Sequence, residues 1–135
     1  MALVLDANVL YSVLDRRQPR HTDCVRLIEE TEEPLLIPTA VMAEVDYFIN
    51  QKLHVGVLIG LLHDIELGNF VFADVMLEDQ TRITELVSQY DDIGFVDAAV
   101  MALVERLNES KLATLDHRHF AKIRPRHVDA LTLLP

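Results

Sequence analysis

Four carboxylates stand where a folded chain could use them together. Asp6 ends the apolar run from Ala2 to Leu5, and Asp116 ends the run from Leu112 to Leu115. Glu44 falls in a helical period that starts near Val41, and Asp97 is the one charge between Ile93 and Val104. Oxygen ligands of this kind suit Mg2+ or Mn2+, which a few carboxylates hold while water and phosphate complete the shell. Converging anions repel one another and take up protons unless a cation neutralises them, and a phosphodiester needs that cation in order to approach. The chemistry open to such a cluster is attack by activated water on a phosphate, without a covalent nucleophile.

Each acid also has an ordinary explanation. Asp is frequent where a strand breaks into a turn, which covers Asp6 and Asp116. An Asp near a helix start satisfies free N–H groups and the helix dipole, which covers Asp97. Glu44 lies three residues after Val41, one before Val45 and four before Phe48, on the apolar stripe completed by Ile49. Desolvating an unpaired carboxylate costs several kcal/mol, so this position calls for an Arg, a proton or a metal. Asp74 and the pair Asp91-Asp92 occupy similar places with no role required of them. Four acids at strand or helix ends, two of them in apolar surroundings, ask for more than turns and caps.

The elements that position them alternate in type. Short aliphatic runs predict strands at Ala2–Leu5, Leu35–Ile37 ending at Pro38, Phe70–Ala73, Leu112–Leu115 and, as an edge, Ala130–Leu134. Helical periods fill the intervals: 21–31, a stripe from Val41 to Ile49 behind Thr39 as N-cap, 55–65, 78–90 and the apolar 96–107. Alternation of this kind predicts an α/β fold with a mainly parallel sheet covered on both faces. Ligands of such sheets sit outside the carboxyl ends of the strands, which is where Asp6 and Asp116 fall.

Composition narrows the function classes. The 135 residues fit one domain, 1–135, with no repeat or linker. The lone Cys24 rules out an internal disulfide and fits a reducing cytoplasm. The start MALVLDANVL lacks the basic segment of a signal peptide, and no apolar stretch reaches the roughly 18–20 residues of a membrane span, so a soluble protein is expected. A net charge of -10 argues against a generic nucleic-acid binder. The charge is uneven, however: Leu27 to Glu105 holds sixteen acids and two bases, while the other bases lie near the two ends. Arg16 and Arg17 at the front, with Arg118, His119 and Arg124 at the back, are candidates to hold a phosphodiester beside an acidic metal site. His117 and His119 are otherwise read as ordinary surface residues. Nucleotide-loop, hydrolase-elbow and zincin motifs are absent.

The ordered pieces Leu3-Val4-Leu5-Asp6-Ala7-Asn8, Ile37-Pro38 leading to Ala43-Glu44-Val45-Asp46-Tyr47, Ile93-Gly94-Phe95-Val96-Asp97-Ala98-Ala99 and Ala113-Thr114-Leu115-Asp116 with Arg118-His119-Phe120 span nearly the whole chain. In order and spacing they resemble the PIN-domain family, and within it the toxins of bacterial toxin-antitoxin pairs. The resemblance implies a three-layer sandwich around four to five strands and a Mg2+- or Mn2+-dependent endoribonuclease. Its acids fall on Asp6, Glu44, Asp97 and Asp116, with Asn8 and Thr114 as the small polar residues that orient carboxylates. Ala7 departs from the pattern, since relatives often carry a hydroxyl residue there. The resemblance also implies transfer or ribosomal RNA as substrate, a cognate antitoxin and a homodimer.

Two other functions fit an acidic α/β pocket. A phosphoacceptor signalling domain wants paired acids after the first strand and a Lys after a late one, whereas Asp6 stands alone and Lys111 precedes its run. A catalytically silent binding module keeps the fold without the chemistry, and the four intact acids argue against it.

Overall fold

The computed structural model describes residues Met1–Pro135. Strand β1 (Leu3–Leu5) runs directly into helix α1 (Ala7–Leu14), followed by α2 (His21–Glu30), β2 (Leu35–Pro38), a 3-10 turn (Thr39–Val41), α3 (Met42–Lys52) and α4 (Val55–Glu66). The second half holds β3 (Val71–Ala73), a 3-10 turn (Leu77–Asp79), α5 (Gln80–Gln89), α6 (Phe95–Arg106), β4 (Lys111–Ala113), α7 (His117–Lys122) and β5 (Thr132–Leu134).

The strands form one sheet in the order β3-β2-β1-β4-β5, and all four pairings are parallel. In the central strand Leu3, Val4 and Leu5 are at most 1% exposed. Successive strand side chains point to opposite faces, so burial of all three means that both faces are covered. The three-layer α/β expectation therefore holds, around a core of 26 buried residues.

The sheet grows from β1 to β2 to β3 on one side, then returns to place β4 on the other side of β1. Such a reversal opens a crevice at the carboxyl ends of the two central strands. Asp6 leaves β1 at that crevice, and its N–H donates to the Ala113 carbonyl of β4 at 2.8 Å. Two helix ends need left-handed backbone, at Gly68 (φ 82°) after α4 and Asn108 (φ 55°) after α6. In each the next N–H closes back on the helix, Asn69 to Asp64 at 2.9 Å and Glu109 to Val104 at 3.0 Å. Two ion pairs secure α6: Arg82–Glu105 ties it to α5, and Arg106–Asp79 ties it to the preceding 3-10 turn, both at 2.8 Å.

Several local expectations change. Thr39 is not the N-cap of α3: it opens a 3-10 turn, and α3 starts at Met42. Phe48 is 38% exposed and packs its ring on Tyr11, so the inward stripe is Val41, Val45 and Ile49. Strand β4 stops at Ala113, two residues early, and the Leu115 and Asp116 N–H groups donate to the side chains of Asn8 and Thr114 instead of to a neighbouring strand. Helices α1 and α7 replace the turns expected after Asp6 and Asp116.

Replacing Leu5, fully buried in the central strand, by Ala should destabilise the protein by about 2–5 kcal/mol in urea unfolding. The same change at Leu77, which is 91% exposed, should stay within about 0.5 kcal/mol. Equal effects at both positions would contradict the central placement of β1.

Candidate metal centre

Asp6 is the N-cap of α1, with one carboxylate oxygen accepting the Ala7 N–H at 2.8 Å. Its other oxygen accepts the Thr114 hydroxyl, also at 2.8 Å, and the residue is 5% exposed. Thr114 is fully buried, and its Oγ1 also accepts from the Asp116 N–H at 3.0 Å and from the Asn8 side-chain amide at 3.4 Å. Asn8 closes the arrangement by accepting the Leu115 N–H at 3.0 Å. One hydroxyl thus links the carboxylate after β1 to the backbone of the acid after β4.

Asp116 is the N-cap of α7: one oxygen accepts the His119 N–H at 3.3 Å, and the other lies 2.5 Å from His119 Nδ1. Asp97 stands half-buried in the first turn of α6, where Gly94 is the N-cap and no side chain caps the helix. Its carboxylate is therefore left for the crevice. Glu44 occupies the first turn of α3 but is exposed, beside the inward stripe and not on it.

The acids act on one another electrostatically. Burial, more than the nearby charges of Asp97 and Asp116, pushes the Asp6 carboxyl up to about 6, against the lowering effect of its hydrogen bonds from Thr114 and Ala7. Asp97 is raised by desolvation and then by Asp116 and Glu44. Glu44 is raised by desolvation and then by Asp6. None of the ion pairs in the chain joins a Lys or Arg to any of these four acids. Ligand atoms of Asp97, Asp116 and His119 lie within 4.8 Å of one another. Oxygen donors that repel one another and have no Lys or Arg partner fit a divalent cation.

His119 departs from the surface role expected of it. Hydrogen bonding to Asp116 and the charges of Asp116 and Asp92 hold its imidazole above the ordinary value. Its Nε2 lies 3.4 Å from Asp92, which is held in turn by Lys122 at 2.8 Å. Asp92 and Lys122 were not among the expected site residues. The i, i+3 spacing of Asp116 and His119 is a signal in the sequence for His119, and none there points to Asp92 or Lys122. Among the cations expected to hold RNA, Arg16, Arg118 and Arg124 are exposed and free of acidic partners. Arg17 is engaged by Asp15 at 3.0 Å and by the Lys52 carbonyl at 3.0 Å.

Comparison with known proteins agrees with this geometry. A ribonuclease of Mycobacterium tuberculosis, VapC26, is 27% identical over 98% of this chain and 100% of its own length. The crystal structure of M. tuberculosis VapC20, a toxin that cleaves the sarcin-ricin loop, superposes with a TM-score of 0.79 at 15% identity, covering 94% of this chain and 98% of that one. A toxin-antitoxin complex from Klebsiella pneumoniae gives 0.67 at 19% identity over 91% and 92% of the two chains. The PIN domain family model matches residues 3–124, the span that carries all four carboxylates and both central strands, and the chain belongs to the PIN-domain family.

Proposed function

We propose that this chain is a metal-dependent endoribonuclease, the toxin of a toxin-antitoxin pair, working in the cytoplasm from Asp6, Glu44, Asp97 and Asp116. The observation that carries this reading is the gathering of carboxylates from four separate elements at one crevice, with no Lys or Arg paired to them. The ribonuclease and toxin names of the relatives support RNA as substrate, and the Klebsiella complex supports an antitoxin partner. Exposed Tyr47 and Ile59, each 60% accessible on α3 and α4, supply apolar surface for that partner or for a homodimer.

Mg2+ or Mn2+ held by Asp6, Asp97 and Asp116, with Glu44 at the rim, would neutralise the crevice and supply an activated water. The rest of the work belongs to the chain. Thr114 and Asn8 hold Asp6 in one orientation. The α6 N-terminus turns its free N–H groups toward the end where Asp97 sits, which favours negative charge there. Arg118 and Arg124, unpaired on and just beyond α7, attract phosphate into a site whose own charge repels it. Arg124 and Lys122 also line a cavity of about 1000 Å³ between α5, α7 and the segment 123–133, room for an RNA strand beyond the crevice.

Asp97→Asn should lower RNA cleavage more than about a hundredfold, beyond what changes around metal ligands typically cause, while circular dichroism stays unchanged. Undiminished cleavage, or activity that survives EDTA, would overturn the mechanism; RNA binding without cleavage would favour the silent module. Divalent metal should also raise the melting temperature, by the equivalent of about 2.7 kcal/mol at a hundred times Kd. A flat response would argue against a preformed site.

Asp6 adds a pH signature. Burial pushes its folded value up to about 6, above the ordinary 3.8, so the native state holds the proton more tightly. The stability this contributes is complete below pH 4 and is lost as pH rises through 6, about 3 kcal/mol in all. In EDTA, Asp6→Asn should match the parent near pH 4 and exceed its stability at pH 8, measured by urea unfolding at each pH. A variant less stable at pH 8 would contradict the strained carboxylate.

A further inference from the structure

We propose that the cavity between α5, α7 and the segment 123–133 is a nucleotide subsite, taking the phosphate and base of a nucleotide beyond the scissile bond. The proposal rests on the nuclease reading of the crevice and names the part of the substrate held outside it. Its first support is charge. Arg82, Lys122, Arg124 and Arg126 line the cavity, and Asp129 is the one acid that does. Four of the chain's twelve Lys and Arg thus gather at one hollow of a protein whose net charge is -10. The acids that hold three of them, Glu105, Asp92 and Glu85, stand outside the lining. Arg124 is exposed and has no acidic partner. Cations concentrated in a concave wall raise the local concentration of an anion.

The second support is the apolar part of the lining, which includes Phe120, Ile123 and Leu131. Tyr90 lines the same cavity, and its hydroxyl accepts the Arg124 N–H at 3.1 Å, which ties the ring to the backbone beside the unpaired guanidinium. A nucleotide joins a flat uncharged base to a charged phosphate, and an aromatic and apolar wall next to cations serves both parts. An acidic peptide would use the cations and leave that wall unused. The third support is position. Helix α7 separates the cavity from the crevice, and its six residues are about 9 Å long at 1.5 Å per residue. Lys122, at the far end of α7, reaches back to Asp92 at 2.8 Å, and Asp92 lies 3.4 Å from His119 beside Asp116. A strand lying along α7 therefore spans both places.

The test uses the whole protein in EDTA, so that binding is read without cleavage. Adenosine 5′-monophosphate titrated into 15N-labelled protein should shift the amide signals of Tyr90 and of segment 122–131, and leave those of Asp6 and Asp97 unmoved. Inorganic phosphate should bind at the same place at least about fivefold more weakly, the lower end of what stacking one base contributes. Arg124→Ala should weaken the nucleotide at least about fivefold and lower the salt slope of single-stranded RNA binding by about one. Tyr90→Leu should bring nucleotide affinity down to that of inorganic phosphate, with circular dichroism confirming that both variants fold. Shifts centred on the crevice, a salt slope unchanged in Arg124→Ala, or a nucleotide bound no tighter than phosphate would overturn the proposal. So would equal binding of a blocked Glu-Glu dipeptide, which carries the same charge and would mark the cavity as a place for an acidic protein segment. Nucleotide binding in the cavity without RNA cleavage in metal would remove the nuclease reading and leave the cavity a nucleotide site; Asp97-dependent cleavage without nucleotide binding would do the reverse.

Discussion

Like charges held together at the end of a parallel sheet repel, and in this chain no Lys or Arg stands among them to relieve the repulsion. Asp6 and Asp116 are stabilised by hydrogen-bond donors: the Ala7 N–H and the Thr114 hydroxyl on Asp6, and the His119 ring and N–H on Asp116. Those donors hold Asp6 and Asp116 in one geometry, yet burial still pushes the Asp6 carboxyl up to about 6. Oxygen donors so arranged fit a divalent cation.

The rest of the molecule keeps that arrangement in place. Switching direction at β1 brings the ends of β1 and β4 together, and the fully buried Thr114 links the two there. The chain's bases are largely committed elsewhere: Arg82 to Glu105, Arg106 to Asp79, Lys111 to Glu33 and Arg126 to Glu85. These pairs secure α5, α6 and the strand ends at a distance from the crevice. Arg16, Arg118 and Arg124 stand exposed and outside these pairs.

How much of this is visible in the sequence depends on how local each signal is. Apolar runs ending in Asp mark β1 and β4 because a buried parallel strand is aliphatic throughout, and Asp97 stands out as a charge in an apolar helix. Helices α1 and α7 escape notice for the opposite reason: Asp6 caps α1 with no loop after β1, and α7 has six residues, too few for a period. Glu44 misleads, because its spacing from Val41 and Phe48 suggests burial, whereas Phe48 turns outward against Tyr11 and Glu44 flanks the stripe. Asp92 and Lys122 acquire their relation to His119 only through tertiary packing, thirty residues apart in sequence, and no periodicity carries that information.

The central claim is that the crevice between β1 and β4 is a metal centre. Anomalous diffraction from crystals of the protein grown with Mn2+ tests it most directly. A peak bounded by Asp6, Asp97 and Asp116 is the predicted result. A crystal with full Mn2+ exposure and no peak there, or with Mn2+ bound only elsewhere on the acidic surface, would contradict it.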